Sequence, residues 1–219
     1  MTGEYEMDLH RAVAAFKTYQ RESFPEITED NDNGEWVFGG EFDHMRAACL
    51  GVLENVPCAQ AGDAVIDDML YAIARDNECS SLMPDTLRRP EWFARLCQAS
   101  LGTNYTNAKW QFAEHLHAYD GERSVRELIF RFLETGDEYT ERLALQSLAE
   151  LYPERVEAYA AEFWSRRKYG ADEYQKIMVL HVLNRVKSPL LERYLLEAEE
   201  MGYEYLRHYA REIRDGNSL

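Results

Sequence analysis

Two histidines spaced two apart, three clustered aspartates and four cysteines are the side chains in this 219-residue chain whose chemistry could be put to use. A helix advances roughly 100° per residue, so His115 and His117 point about 200° apart and cannot share a zinc ion. Asp63 and Asp67 lie one helical turn apart with Asp68 beside them, and three carboxylates can hold a hard cation. No EF-hand spacing accompanies them, and acids at a helix start complement its dipole, so the stretch reads as an exposed helix N-terminus. His181 falls inside the apolar block Val179 to Leu183, the setting of a partly buried, satisfied histidine. Cys49, Cys58, Cys79 and Cys97 form no CxxC pair, and Cys49 and Cys97 fall on apolar helical stripes, so reduced thiols are expected. No GxSxG, P-loop, HExxH or GxGxxG occurs. A general acid and base on Glu-rich helices would meet in space and not in spacing. The sequence therefore offers no catalytic residue, no metal ligand and no cofactor motif.

Charge is the stronger signal. Twenty-four Lys and Arg stand against 40 Asp and Glu, a formal net charge of -16. Phosphate backbones are bound by neutralising Lys and Arg, so nucleic acid is an unfavourable partner. Residues 1–44 carry 11 acids and 3 bases, about half of the excess. The first residues lack a basic stretch followed by an apolar run, and no run approaches the ~18 apolar residues needed to span a bilayer. A cytoplasmic protein without a membrane partner is expected. The length suits one domain, 1–219, able to bury a core without disulfides or metal.

The elements that must position any site are helices. Leu9, Val13 and Phe16 recur at three and four, predicting an amphipathic helix over 5–24 that Pro25 stops. Residues 26–40 have no periodicity and hold Glu26, Glu29, Asp30, Asp32 and Glu35 around Asn31, Asn33 and Gly34. They read as an acidic loop, either a solvated connector or, with Trp36 and Phe38 directly after the acids, a contact site. Residues 1–40 thus form an acidic N-terminal cap helix and loop. Helices are predicted over 41–56 and from Asp63, as N-cap, to about Asp76, then a connector over 80–90. Pro90 suits a first helical position, with Trp92, Phe93, Leu96 and Cys97 inward. Further helices are expected over 106–119 and 122–134. Ser188-Pro189 is an N-cap hydroxyl followed by proline, and the final helix after Gly202 caps the C-terminal end.

Residues 104–214 carry one pattern three times. Phe112 to Leu116, Ala144 to Leu148 and Val179 to Leu183 align, 32 and then 35 positions apart, each followed by a turn and a second amphipathic segment. One helix-turn-helix unit cannot bury both apolar stripes alone, so units must stack. Leu145, Leu148, Phe163, Leu180, Leu183, Tyr194 and Leu195 are the expected interior. In Ala108 to Glu114 and in Glu141 to Leu148 the chain resembles the HEAT repeat family over about half its length. The resemblance implies an all-α fold, a right-handed α-solenoid of HEAT-like repeats with capping helices. It also implies a binding role, since HEAT-like proteins include scaffolds, inhibitors and immunity proteins, with a minority of enzymes such as bilin lyases and DNA-alkylation glycosylases. Such a glycosylase needs a basic face, whereas the second helices here carry Glu154, Glu157, Glu162, Glu192, Glu197, Glu199 and Glu200.

The expectation is a protein-binding module and not an enzyme: an immunity-protein or antitoxin-like inhibitor that covers a basic protein such as a nuclease toxin; the alternatives are a general scaffold or adaptor and, third, a HEAT-like enzyme such as a bilin lyase. Its candidate face is Glu29, Asp30, Asp32, Glu35 and Trp36 from the loop with Glu157, Glu162, Glu197 and Glu200 from the second helices. Tyrosine is abundant, at 14 residues. Tyr159 and Tyr194 fall on packing stripes, while Tyr139, Tyr174 and Tyr205 are candidates for exposure.

Overall fold

The structure, a computed structural model, describes residues 2–27, 39–168 and 172–216. The fold is all-α, with no strand among the described residues. Contacts fall into two compact units, 1–128 and 129–219. The division comes where the periodicity predicts a single helix over 122–134. Two single turns, α7 (Arg123–Arg126) and α8 (Ile129–Phe132), stand there instead.

The first unit begins with α1 (Thr2–Ser23), α2 (Gly40–Asn55) and α3 (Asp63–Arg75). Leu9, Val13 and Phe16 are buried along α1, as their spacing predicts. Helices α1 and α2 run antiparallel: a Cβ on Gly51, late in α2, would meet the Tyr5 ring at 3.3 Å, while Phe16 meets Phe42, early in α2, with centroids 6.1 Å apart. Asp63 is the first residue of α3 and not its cap, since Gly62 holds the cap position with no side-chain bond. The predicted connector 80–90 contains a short helix, α4 (Met83–Leu87), begun by Pro84 near its start. The next helix, α5 (Pro90–Ser100), buries Trp92, Phe93, Leu96 and Cys97. Then α6 (Thr106–His115) lies beside α3, with Tyr105 Oη donating to Asp67 at 3.3 Å and Gln111 Nε2 donating to the Ile73 carbonyl at 2.7 Å. Cys49, Cys58 and Cys97 are buried free thiols and Cys79 is an exposed one. Burial pushes the Cys49 and Cys97 thiols well above their usual range.

The second unit holds α9 (Glu138–Leu151), α10 (Val156–Ser165), α11 (Glu173–Arg185), α12 (Leu191–Glu200) and α13 (Glu204–Arg214). Helix α9 starts where Gly136, at φ +84°, turns the chain and the Asp137 carboxylate accepts the Thr140 N–H at 2.8 Å. Side-chain contacts fix the direction of each neighbour. Arg142, in the second turn of α9, faces Tyr174 at the start of α11, and at the far ends Glu150 pairs with Arg185, so α9 and α11 are parallel. Glu173 accepts the Leu206 N–H at 2.9 Å and His181 meets Tyr209 farther along, so α13 is parallel to α11. Helices α10 and α12 form a second parallel pair, joined near their starts by Ser188 to Glu157 at 2.7 Å and near their ends by Trp164 Nε1 to Glu197 at 2.7 Å. Leu145, Leu148, Phe163, Leu180, Leu183, Tyr194 and Leu195 are all buried between them. Ser188 does not cap α12, which starts three residues later. Its hydroxyl accepts the Leu190 N–H while donating to Glu157.

Candidate functional site

Three short sequences start the three parallel helices of the second unit: Asp137-Glu138-Tyr139, Asp172-Glu173-Tyr174 and Tyr203-Glu204-Tyr205. In each helix the glutamate is the first residue and the tyrosine the second. Parallel neighbours with the same residue at the same position bring it to one edge of the layer, and Tyr139, Tyr174 and Tyr205 are 41, 48 and 57 % exposed. Each tyrosine presents a large apolar face with a polar tip and little rotamer entropy to lose, so a row of three along one edge is suited to contact.

The first step of this row is already occupied. The Arg142 guanidinium lies 4.8 Å from the Tyr139 ring centroid and 5.5 Å from that of Tyr174, and its Nε donates to Glu138 at 3.0 Å. A cation between two ring faces is held by both quadrupoles. Burial pushes the Glu138 carboxyl above its ordinary value, with the neighbouring Arg142 opposing it. At the second step Glu173, equivalent to Glu138, receives the Leu206 N–H and so ties α13 to α11.

Behind the tyrosines lies a buried polar layer, Thr140 and Glu141 on α9 with Gln175 and Lys176 on α11. Glu141 is fully buried and accepts from Arg166 at 2.6 Å, from Lys168 at 3.2 Å and from the Gly136 N–H at 2.7 Å. Arg166 also stacks on Phe163 at 3.7 Å. Two of the three residues in the basic run Arg166-Arg167-Lys168 therefore serve to neutralise a core carboxylate. The Lys176 amine and the Gln175 amide are buried without hydrogen-bond partners, and burial, followed by the nearby Arg167 charge, lowers the amine below its usual range.

The acidic residues expected to form a face are distributed differently. Glu29, Asp30, Asp32, Glu35 and Trp36 lie outside the described residues. Glu157 takes the Ser188 hydroxyl, Glu162 pairs with Arg166 at 2.6 Å, and Glu197 takes both Trp164 and Arg193. Glu200 is exposed at the end of α12. Three of these four thus make internal contacts, and Glu157 and Glu197 sit toward opposite ends of the α10–α12 pair. Tyr139, Tyr174 and Tyr205 are exposed as expected but lie outside the acidic candidate face; the sequence signal that links them is the recurring Glu-Tyr dipeptide, 35 and then 31 positions apart.

In the first unit, Tyr71 is buried between Lys17 at 4.5 Å and Arg75 at 4.4 Å from its centroid, with its hydroxyl on Gln20 at 3.0 Å. Lys17, Thr18, Arg21 and Pro25 line an open pocket beside it. Asp68 is not on an exposed helix start: it is buried, with His10 Nδ1 at 3.0 Å, because α1 covers that side of α3. Asp76 accepts from Ser81 Oγ and from the Leu82 N–H, and burial raises its carboxyl above the ordinary range. His181 is partly buried, and desolvation lowers its imidazole below the usual value. Among the described residues no three His, Cys, Asp or Glu are grouped to hold a metal ion, and no helix is long and apolar enough to cross a membrane. Set against protein-family models, curated proteins and solved structures, the chain gives no match.

Proposed function

We propose that the chain is a protein-binding module whose second unit meets its partner along the tyrosine row at the N-terminal edge of α9, α11 and α13. The observation that carries this is the repeated exposure of Tyr139, Tyr174 and Tyr205 at one helical position of three stacked helices. Exposed aromatic rows beside charged rims are the composition of recognition surfaces. The partner is basic, because a chain of net charge -16 attracts cations and repels acidic competitors. The parallel layers α9, α11, α13 and α10, α12 support the solenoid reading, a right-handed HEAT-like stack in which α13 acts as the C-terminal cap. Within that reading the protein is a stoichiometric inhibitor of the immunity-protein or antitoxin kind, acting on a basic protein such as a toxin in the cytoplasm. No step of chemistry is assigned to it.

A scaffold role is the second reading, favoured by the pairing of Glu162 with Arg166 and of Glu197 with Arg193, which offsets part of the acidic charge on that side of the unit. The two separate on the partner recovered from the source cell. An inhibitor gives a one-to-one complex with a basic protein whose activity falls on binding. A neutral or acidic partner, or a basic one whose activity is unchanged in the complex, sinks the inhibitor reading. A charge-reversed variant at Glu29, Asp30, Asp32 and Glu35 should slow association at low salt. An unchanged on-rate at both low and high salt makes that loop a connector only.

A further inference from the structure

The step between Tyr139 and Tyr174 shows what this edge of the molecule holds. Its occupant is a guanidinium, that of Arg142, with rings on two sides and a first-turn carboxylate, Glu138, on its Nε. The next step, between Tyr174 and Tyr205, repeats the frame without the occupant. Helix α11 carries Ile177, nearly buried, at the position Arg142 holds in α9. Glu173 stands where Glu138 stands, with one carboxylate oxygen on the Leu206 N–H. That bond joins the residue before Tyr174 to the residue after Tyr205, so the two tyrosines flank it. Among the described residues Tyr205 makes no ring or cation contact, and Tyr174 makes only the one with Arg142.

We propose that the step between Tyr174 and Tyr205 takes an arginine guanidinium from a protein partner, stacked as Arg142 is stacked in the step before it. This deepens the protein-binding reading and rests on it. The charge fits: Glu173 and Glu204 flank the step, and the whole chain is acidic, so a cation is drawn in. Arginine fits better than lysine because its planar, weakly hydrated guanidinium stacks on an aromatic face while donating in plane to a carboxylate, whereas an ammonium keeps its water. Each first-turn glutamate offsets the positive end of its helix dipole, which would otherwise oppose a cation there.

The test uses the whole chain and two short acetylated peptides alike except that one carries arginine and the other lysine. Binding is followed by nuclear magnetic resonance of the tyrosine rings. The arginine peptide should shift the Tyr174 and Tyr205 rings and bind more tightly than the lysine peptide by up to about two- to five-fold, the full worth of an exposed cation–π contact, since the hydrated ammonium stacks more weakly. Tyr174→Ala and Tyr205→Ala should each remove about that factor, while Tyr205→Phe, which keeps the ring, should retain it. Both tyrosines are exposed, so circular dichroism of the variants should match the parent. Equal binding of the two peptides overturns the arginine step and leaves the acidic, protein-binding reading standing, because a diffuse field does not tell the two cations apart. Loss of neither ring's contribution in the alanine variants overturns it as well.

Discussion

Arg166 offers a direct measure of how burial sets the worth of an ion pair, because it holds two carboxylates at the same distance. Its guanidinium lies 2.6 Å from Glu141 and 2.6 Å from Glu162, but the Glu141 side chain is 0 % exposed and that of Glu162 is 57 % exposed. Glu162 is one turn before Arg166 and its own carboxylate stands in water, so Glu162→Ala should cost less than about 1 kcal/mol. Glu141→Ala removes the acceptor of the Gly136 N–H and strips the buried partner from a guanidinium only 13 % exposed. Lys168, half exposed, can turn to water, but Arg166 cannot leave Phe163 without losing that contact. Breaking one side of a buried pair costs about 3–5 kcal/mol, and an orphaned N–H alone about 1–3 kcal/mol. A loss of about 3–5 kcal/mol is therefore expected for Glu141→Ala. Urea melts followed by circular dichroism measure both, with an unchanged m confirming that the same surface is exposed on unfolding. A difference between the two variants of less than about 1 kcal/mol refutes the argument that burial, and not distance, decides.

Leu148→Ala, at a fully buried position between α9 and its neighbours, should cost about 2–5 kcal/mol in the same melts, and less than about 1 kcal/mol would mean the site collapses around the change. Lys176→Met should stabilise by about 1–3 kcal/mol near neutral pH, since it removes a buried amine without a hydrogen-bond partner. The sign with pH follows from the lowered folded-state value: between that value and the ordinary 10.5 the unfolded chain holds the proton the native one has lost, so parent stability rises with pH and the gain shrinks. A gain that grows with pH up to 10.5 would contradict this. A thiol reagent should titrate Cys79 quickly in the native protein and Cys49 and Cys97 only on unfolding, and equal rates at all three would contradict their burial.

Much of the fold was legible because helical burial is periodic. The stripe through Leu145, Leu148, Leu180 and Leu183 names the interior of the second unit, since only those positions share a face. Pro90 marks a helix start for a local reason, its fixed φ and missing N–H, and the structure keeps it. Ser188-Pro189 carries the same local signal, yet Glu157 claims the serine hydroxyl from 31 residues away and α12 begins later. Long-range claims of this kind leave no trace in spacing. Glu141, next to Arg142, is a core group, and the arginine that neutralises it lies 25 residues on. Asp68 is the same case, hidden by His10 from another helix. The tyrosines are different: Tyr139, Tyr174 and Tyr205 were recognisable as exposed, but their alignment needed the helices to be parallel, which only the contacts supply.

The charges divide unequally between the units, and under the proposed binding role this would separate finding a partner from holding it. Residues 1–128 carry 23 Asp and Glu against 11 Lys and Arg, whereas residues 129–219 carry 17 against 13. Under the proposed binding role, the field that would draw a cationic partner is chiefly that of the first unit, while the tyrosines proposed to grip it are in the second. Steering acts through net charge over distances comparable to the Debye length, about 10 Å at 0.1 M salt, and changes the rate of encounter. Ring stacking acts only at contact, is little screened, and changes the rate of escape. Were charge pairs also the contacts that hold the partner, salt would slow association and speed dissociation together. If the rings of Tyr174 and Tyr205 hold the partner, salt should slow association while leaving dissociation nearly constant, and loss of either tyrosine should do the reverse.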